Sequence, residues 1–210
     1  MDSSLIRSLN LFSSIDEEAA TQLAAAMKPV YLPRGKVLFR HGERGDRLYL
    51  VKSGKIKLSA VASDGRENLL DLLGRGELIG ELTLFDPGPR TATATAVLAA
   101  NLLELSHLGM VNWLSANPSA AQHILAAMAR RLRRSNDALS DLIFTDVPGR
   151  IAKALIDLAE RFGEPTEEGI HVTHGLTQEE LAQLVGASRE TVNKALSEFV
   201  ARGWVSLRRI

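Results

Sequence analysis

One segment of the chain, from Asn117 to Asp146, shows a continuous helical repeat of apolar side chains. Its positions step alternately by about four and three residues, the period of a helix that packs lengthwise against a partner helix. These seam positions are Ala121, Leu125, Met128, Leu132, Ser135, Leu139 and Leu142. Asn117 and Pro118 suit the N-cap and first helical position, and Pro148 predicts where the helix ends.

The seam is interrupted by a polar residue, Ser135, which is followed by Asn136. A single polar residue in such a seam can fix the register of two paired helices. The alternative is that a polar ligand binds at this point of the helix. The pattern alone leaves both interpretations open.

The chain before this helix consists mainly of short apolar runs separated by glycines. One helix precedes them, from Glu17 to Met27, with Ser14 or Asp16 as its cap. The predicted strands are Val30–Leu32, Lys36–His41, Arg47–Lys52, Lys55–Ala62, Glu67–Leu73, Ala92–Val97 and Leu102–Leu105. Many short strands with glycine turns are typical of a sandwich or barrel. A further helix is expected over Gly109–Ser115.

Helical periodicity returns after Pro148. Apolar residues from Ile151 to Phe162 line one face of a predicted helix, and Gly163 is expected to end it. Residues 164–169 are expected to form a loop, followed by a short strand over Ile170–Thr173.

A helix-turn-helix is predicted next. Thr177 and Glu180 have the spacing of a capping box, which begins the first helix. Gly186 lies where a tight turn needs a positive φ, and Ser188 can cap the second helix. The second helix is expected to bury Val192, Ala195, Leu196 and Phe199.

The side chains left on the exposed face of this second helix have the chemistry that recognises base edges. Arg189 and Lys194 can donate to guanine, and Glu190 can accept from the amino group of cytosine. The alternative is an ordinary ion pair between Glu190 and Lys194 on a solvated helix. Because three such side chains follow a glycine turn, the pattern favours DNA recognition. Trp204–Leu207 is expected to form the first strand of a wing.

Composition narrows the possible functions. The 210 residues include 25 basic and 25 acidic side chains, so DNA binding would depend on a local patch. The chain has no Cys, which excludes disulfides, thiol nucleophiles and Cys-ligated clusters. The five His residues lack metal-ligand spacing and a neighbouring nucleophile, so neither a metal nor catalysis is expected. Without a leader or a membrane-length apolar run, we expect a cytoplasmic protein with no membrane partner.

An anion site is predicted around Gly80, Glu81 and Leu82. The glycine interrupts a strand and a helical turn follows, so backbone N–H groups can face an anion. Arg90, followed by Thr91, supplies a permanently charged and forked donor for a phosphate. Glu81 can accept from a sugar hydroxyl.

Together these motifs resemble the cyclic-AMP receptor protein family of bacterial transcription regulators, and most closely its actinobacterial cyclic-AMP-responsive members. The resemblance extends over nearly the whole chain and includes the runs GEL…RT, LIFTDVPGR and VGASRETVNKAL. It implies an α+β fold: an N-terminal cyclic-nucleotide-binding β-roll of the double-stranded β-helix (jelly-roll) type, a long dimerisation helix and a C-terminal winged helix-turn-helix. The implied domains are residues 1–116, 117–147 and 148–210.

The resemblance also implies roles for individual residues. The cyclic nucleotide would be bound by Gly80, Glu81, Leu82, Arg90, Thr91, Ser135 and Asn136. DNA would be bound by Thr177, Gln178, Ser188, Arg189, Glu190, Thr191, Asn193 and Lys194. The dimer interface would contain Leu125, Met128, Leu132, Leu139 and Leu142. Asn136 replaces a usual serine, Lys194 replaces an arginine, and the wing is expected to be shortened.

The sequence therefore predicts a homodimeric, cyclic-AMP-responsive transcription regulator, either activator or repressor. Its expected partners are two-fold symmetric double-stranded DNA and RNA polymerase, and cyclic GMP remains a second possible ligand. The alternatives are the same DNA-binding regulator with a different effector or none, an enzyme, and a nucleotide-binding regulatory subunit of another assembly.

Overall fold

The computed structural model describes residues 3–9, 12, 15–61, 67–86 and 88–207. The chain divides into two compact units. Unit 1 comprises residues 1–60 and 71–135, and unit 2 comprises residues 61–70 and 136–210. The division falls within one long helix, between Ser135 and Asn136. The three domains expected from the sequence, with boundaries at residues 116 and 147, stay a prediction.

A six-stranded sheet follows two N-terminal helices, α1 (Ser3–Arg7) and α2 (Glu17–Ala26). Asp16 caps α2 by accepting from the amide of Ala19, whereas the alternative cap, Ser14, lies outside the described residues. The strands are β1 (Lys28–Leu32), β2 (Val37–Phe39), β3 (Arg47–Val61), β4 (Glu67–Leu73), β5 (Leu78–Ile79) and β6 (Thr93–Ser106). Their main order is β1-β6-β3-β4, with β2 paired to β6 and β5 to β3. The predicted sheet-rich N-terminal part is confirmed.

Two pairs of predicted strands are single long strands. Arg47–Lys52 and most of Lys55–Ala62 belong to β3, and the two segments predicted between Ala92 and Leu105 both fall in β6. The register of β3 against β6 is irregular around Gly54, whose φ is 86°. A side chain at Gly54 would collide with the backbone of β6. This glycine therefore marks a bulge in a continuous strand and not a turn.

Alternation along the strands divides the apolar residues of unit 1 between two clusters. Leu50 and Leu103 belong to the cluster that also contains side chains of α2, while their neighbours Val51 and Leu102 belong to a second cluster. Successive residues of a strand point to opposite faces of the sheet, so each long strand contributes to both clusters. Trp113 joins the first cluster, and its Nε1 donates to the carbonyl of Ala19 at 2.9 Å.

The connection into the long helix differs from the prediction. Helices α3 (Leu82–Phe85) and α4 (His107–Ala116) precede α5 (Ala120–Phe144). Asn117 is the C-cap of α4 and not the N-cap of α5, because its amide donates to the carbonyl of Trp113 at 2.9 Å. Pro148 does not stop α5 either. It lies in the first turn of the next helix, whose N-cap is Asp146.

Unit 2 contains α6 (Val147–Phe162), the hairpin β7 (Gly163–Thr166) and β8 (Gly169–Val172), and helices α7 (Gln178–Val185) and α8 (Arg189–Ala201). The loop expected over residues 164–169 is therefore wrong in part, since residues 164–166 belong to β7 and Gly169 begins β8. The wing strand expected over Trp204–Leu207 is also wrong, because these residues form no strand. The Trp204 ring instead lies 5.8 Å from the ring of Phe199. Within the described ranges, no helix is both long and apolar enough to cross a membrane.

Candidate functional site

Arg90 brings a guanidinium group into the interior of unit 1, where the residue is only 4% exposed. Its Nη1 donates to the carbonyl of Gly80 at 2.9 Å and to Oγ1 of Thr83 at 3.0 Å. Its Nη2 donates to the carbonyl of Arg47 at 2.6 Å. The guanidinium carbon lies 4.2 Å from the centre of the Phe39 ring. Burial lowers the pKa of Arg90 below the usual arginine value, yet a guanidinium stays protonated in proteins.

The buried cation keeps one unused donor. Arg90 Nε is buried and has no hydrogen-bond partner, and the described residues provide no carboxylate in ion-pair contact with this guanidinium. A buried charge without a counter-charge is costly. In arginine–anion pairs, Nε and Nη2 lie on the same edge of the guanidinium and can donate two parallel hydrogen bonds to one anionic group. This edge of Arg90 therefore fits a phosphate oxygen.

Two glycines make room for the guanidinium. A Cβ at Gly45 would lie 2.5 Å from Oγ1 of Thr83 and 2.7 Å from Nε of Arg90. A Cβ at Gly80 would collide with Nη1 of Arg90, and the φ of Gly80 is 78°. Gly80 is among the residues predicted from the sequence to form the site, whereas Gly45 and Thr83 are not.

A cavity of about 420 Å³ adjoins the same side chains. Its lining residues are Arg44, Gly45, Asp46, Thr83, Gly88 and His107. Gly45 and Thr83 are shared between the cavity wall and the surroundings of Arg90. The buried guanidinium is thus close to open space and not sealed deep in the core. Among the described residues, no group of three or more His, Asp or Glu side chains could hold a metal ion.

Glu81 is the second buried charge of this region, with an exposed fraction of 1%. Its Oε1 accepts from Nη1 of Arg131 on α5 at 2.7 Å. Arg131 also lies 3.8 Å from Asp71, and Arg134 on the same helix contacts Asp71 at 3.7 Å and Glu77 at 3.3 Å. Two arginines one turn apart on α5 therefore face three carboxylates of unit 1. This network was not predicted from the sequence, although the spacing of the two arginines places them on one helix face.

The remaining residues predicted to bind nucleotide are more exposed. Leu82 and Thr91 are exposed near the Gly80 turn. On α5, Oγ of Ser135 donates to the carbonyl of Arg131 at 3.2 Å, and Asn136 is exposed. The structure brings Gly80, Glu81 and Arg90 into one region. The nucleotide contacts of all seven residues stay predictions.

The apolar seam of α5 is largely uncovered in the single chain. Leu125, Leu132, Leu139 and Leu142 are each more than half exposed, while Met128 packs partly against the unit 1 core. A continuous apolar stripe of this kind is typical of a surface that another protein surface covers. The stripe supports the predicted dimer interface, and the homodimer itself stays a prediction.

The helix-turn-helix forms as the sequence predicts. Oγ1 of Thr177 accepts from the amide of Glu180 at 3.1 Å, and Oε2 of Glu180 accepts from the amide of Thr177 at 2.8 Å. Gly186 has a φ of 62°, in the left-handed region. Ser188 caps α8 by accepting from the amide of Thr191 at 3.2 Å. Each of these signals acts within three residues, so the sequence alone specifies them.

The predicted DNA-contacting face of α8 is available to solvent. Arg189, Glu190, Thr191 and Lys194 are exposed, and Asn193 is half-buried. No ion pair between Glu190 and Lys194 is found in the described structure, so the alternative of a self-paired helix face is not realised. The four predicted buried residues of α8, Val192 to Phe199, are all buried. The exposed charges are therefore free to meet a partner.

Two known domain families match this chain, one in its N-terminal part and one in its C-terminal part. Residues 29–117 match the cyclic nucleotide-binding domain, and residues 149–210 match the Crp-like helix-turn-helix domain. A CRP-like cAMP-activated global transcriptional regulator of Mycobacterium tuberculosis is 49% identical, covering 99% of this chain and 92% of its own length. The chain belongs to the CRP family. The family and α+β fold predicted from the sequence are therefore confirmed.

Other members of the CRP family extend the comparison. The cyclic AMP receptor protein of Thermus thermophilus is 37% identical over 91% of this chain and 85% of its own length. The structure of CLP, a c-di-GMP responsive global regulator of Xanthomonas campestris, has a TM-score of 0.74 and 29% identity, covering 92% of this chain and 96% of that chain. Proteins of the same fold thus carry names that refer to different effectors.

Proposed function

We propose that this CRP-family protein is a homodimeric transcription regulator that binds cyclic AMP in unit 1 and two-fold symmetric DNA through paired α8 helices. The observation that carries the proposal is Arg90, a buried cation with an unused Nε donor, in a chain that also presents an exposed helix-turn-helix face. The names of the two cyclic-AMP relatives support the choice of nucleotide. We further propose RNA polymerase as a partner, a cytoplasmic location and no catalytic activity.

The residues of the unit 1 site fit the chemistry of a cyclic nucleotide. Its singly charged phosphate would accept from the Nε edge of Arg90, which satisfies the unused donor and gives the guanidinium a direct ion-pair partner. Oε1 of Glu81 is engaged by Arg131, which leaves Oε2 to accept from a ribose hydroxyl. Gly80 keeps the backbone clear of the guanidinium. Both charged groups are fixed in place by protein contacts before a ligand binds.

The exposed face of α8 fits the major groove. Arg189 can donate a pair of hydrogen bonds to guanine, Glu190 can accept from cytosine, and Lys194 contributes a point charge. In a two-fold dimer the paired helices would bind half-sites about one helical turn apart, an arrangement already established for the family's activator. The net charge of the chain is zero, so the protein as a whole is not attracted electrostatically to DNA. Binding would instead depend on the charged side chains of this face of α8.

Fluorescence anisotropy on a labelled palindromic duplex with TGTGA-type half-sites tests the proposal directly. Cyclic AMP should increase the affinity for this duplex over a scrambled one, and adenosine 5′-monophosphate should not. Arg189→Ala should weaken specific binding by roughly 1–3 kcal/mol and leave binding to the scrambled duplex nearly unchanged. If wild-type protein bound both duplexes equally, with or without cyclic AMP, the proposal would fail.

A second candidate keeps the DNA-binding function and changes the effector. It is favoured by the polar pair on α5, Ser135 and Asn136, which departs from the family's usual residues, and by the structural relative whose effector is c-di-GMP. Titrating cyclic GMP and c-di-GMP in the same assay separates the candidates. Stronger activation by either ligand than by cyclic AMP would favour the second candidate.

A further inference from the structure

A single arginine in unit 2 contacts both the end of α5 and the turn of the helix-turn-helix. Arg150, in the first turns of α6, donates from Nη1 to the carbonyl of Thr145 at 2.9 Å. Its Nε donates to the carbonyl of Val185 at 2.8 Å, and its Nη2 donates to the carbonyl of Gly186 at 3.1 Å. Thr145 directly follows α5, whereas Val185 and Gly186 end α7 just before α8.

The three acceptors lie at helix ends, where backbone carbonyls lack partners within their own helix. A guanidinium is planar and its donors have fixed relative directions. By donating to three carbonyls at once, Arg150 sets both the distance and the orientation between the end of α5 and the turn before α8. A lysine would keep the charge but could not reproduce this geometry.

Packing around the turn is consistent with a fixed arrangement. A Cβ at Gly186 would lie 2.8 Å from Cδ2 of Leu142, so the turn lies directly against the last part of α5. Lys153 pairs with Asp141, and Oδ1 of Asp141 accepts from Oγ1 of Thr145 at 2.8 Å. The Lys153 pair thus connects α6 to α5, and among the described residues it makes no bond to the turn.

We infer that Arg150 is a positioning residue that couples α5 to the recognition helix α8. The inference rests on the proposed function, because α5 carries the residues predicted to contact the nucleotide. With Arg150 in place, a displacement of α5 beyond Asn136 moves the turn and therefore α8. Without it, the helix-turn-helix keeps its own core of Leu181, Val185, Val192 and Leu196 but loses the three hydrogen bonds that fix the turn against the end of α5.

The test compares Arg150→Gln, Arg150→Lys and the control Lys153→Met in the full-length protein. Anisotropy gives the DNA affinity with and without saturating cyclic AMP, and calorimetry gives the cyclic AMP affinity with and without DNA. The activation ratio is the DNA affinity at saturating cyclic AMP divided by the DNA affinity without cyclic AMP. In Arg150→Gln this ratio should fall roughly 3- to 30-fold. Cyclic AMP affinity without DNA should not change. By reciprocity, the gain in cyclic AMP affinity caused by DNA should shrink by the same factor.

Arg150→Lys should give an intermediate activation ratio, and Lys153→Met should keep the wild-type ratio. A merely structural role would lower the unfolding temperature and leave the ratio of the folded protein unchanged, which would overturn the inference. If Arg150→Gln does not fold, the intermediate ratio of Arg150→Lys decides. If wild-type DNA binding does not respond to cyclic AMP, the proposed effector fails first. Arg150 is then judged by the ratio of specific to non-specific DNA affinity, which Arg150→Gln must lower.

Discussion

Replacing Arg90 with lysine keeps a positive charge in unit 1 but removes the planar guanidinium group and its fixed set of donors. In the structure Nη1 and Nη2 already donate to Gly80, Thr83 and Arg47, so the guanidinium is oriented before a ligand arrives. A single ammonium group cannot keep these contacts and also bind a phosphate from the Nε edge. We expect the loss of one charge-assisted hydrogen bond, about 1.5–3 kcal/mol, or roughly 10- to 150-fold in the Kd for cyclic AMP.

The same substitution affects stability by a separate route. The carbonyl of Arg47 loses its donor from Arg90, whereas the carbonyl of Gly80 still accepts from Oγ1 of Thr83, and an acceptor left unsatisfied costs about 1–3 kcal/mol. The Tm of Arg90→Lys should therefore fall together with its affinity. Binding must be measured at a temperature where circular dichroism shows that the variant is folded, so that the two effects are separated.

Isothermal titration calorimetry with cyclic AMP measures the affinity, and two further variants, one of them a control, identify the cause of any change. Arg47→Gln removes a half-exposed guanidinium that pairs with Glu104 but keeps the carbonyl that accepts from Arg90, so its affinity should match wild type. Gly45→Ala should weaken binding, because its Cβ would displace the Arg90 guanidinium. Folded Arg90→Lys with wild-type affinity would refute the phosphate role.

Three further changes test other parts of the molecule. Arg131→Gln leaves the buried Glu81 carboxylate unpaired and should lower the free energy of unfolding by about 2 kcal/mol in urea titrations, with recovery in the double variant that adds Glu81→Gln. Leu132→Asp puts a charge into the exposed stripe of α5 and should give a folded monomer in analytical ultracentrifugation; a stable dimer would contradict this interface. A hydrogen bond from Lys153 holds the pKa of Asp141 below the ordinary aspartate value. The Tm advantage of wild type over Asp141→Asn should therefore be complete above about pH 4 and disappear as pH falls through the lower pKa of the folded state.

How far the sequence predicted the fold depends on how local each signal is. The caps of the helix-turn-helix act within three residues, and Thr177, Gly186 and Ser188 all have the predicted roles. The predicted roles of Asn117 and Pro148 were wrong, because the same residue types can end one helix or begin the next. Which of these occurs depends on where the backbone packs. The break predicted between Lys52 and Lys55 was wrong for a similar reason, since the adjacent strand β6 decides whether Gly54 forms a turn or a bulge.

In the candidate site, too, the contacts that depend on distant parts of the chain were not predicted from the sequence. The spacing of Gly80, Glu81 and Arg90 identified residues that the structure does bring together. This spacing did not indicate that backbone carbonyls would accept hydrogen bonds from Arg90. Every residue has a backbone carbonyl, so the sequence cannot show which of them a side chain will contact. Arg131 reaches Glu81 from 50 residues further along the chain, a pairing that only the tertiary fold creates.

The position of the polar pair on α5 has an energetic consequence for the proposed dimer. Ser135 lies in the same seam as the exposed leucines, so covering the stripe with a second copy would remove Ser135, and with it Asn136, from water. Oγ of Ser135 already donates to the carbonyl of Arg131, so the cost falls mainly on the Asn136 amide, and a polar group buried without a partner costs about 1–3 kcal/mol. A nucleotide that hydrogen-bonds to this amide would remove this cost. Nucleotide binding and pairing of α5 should then strengthen each other by equal free energies, since such coupling is reciprocal. Cyclic AMP should therefore lower the dimer dissociation constant measured by sedimentation.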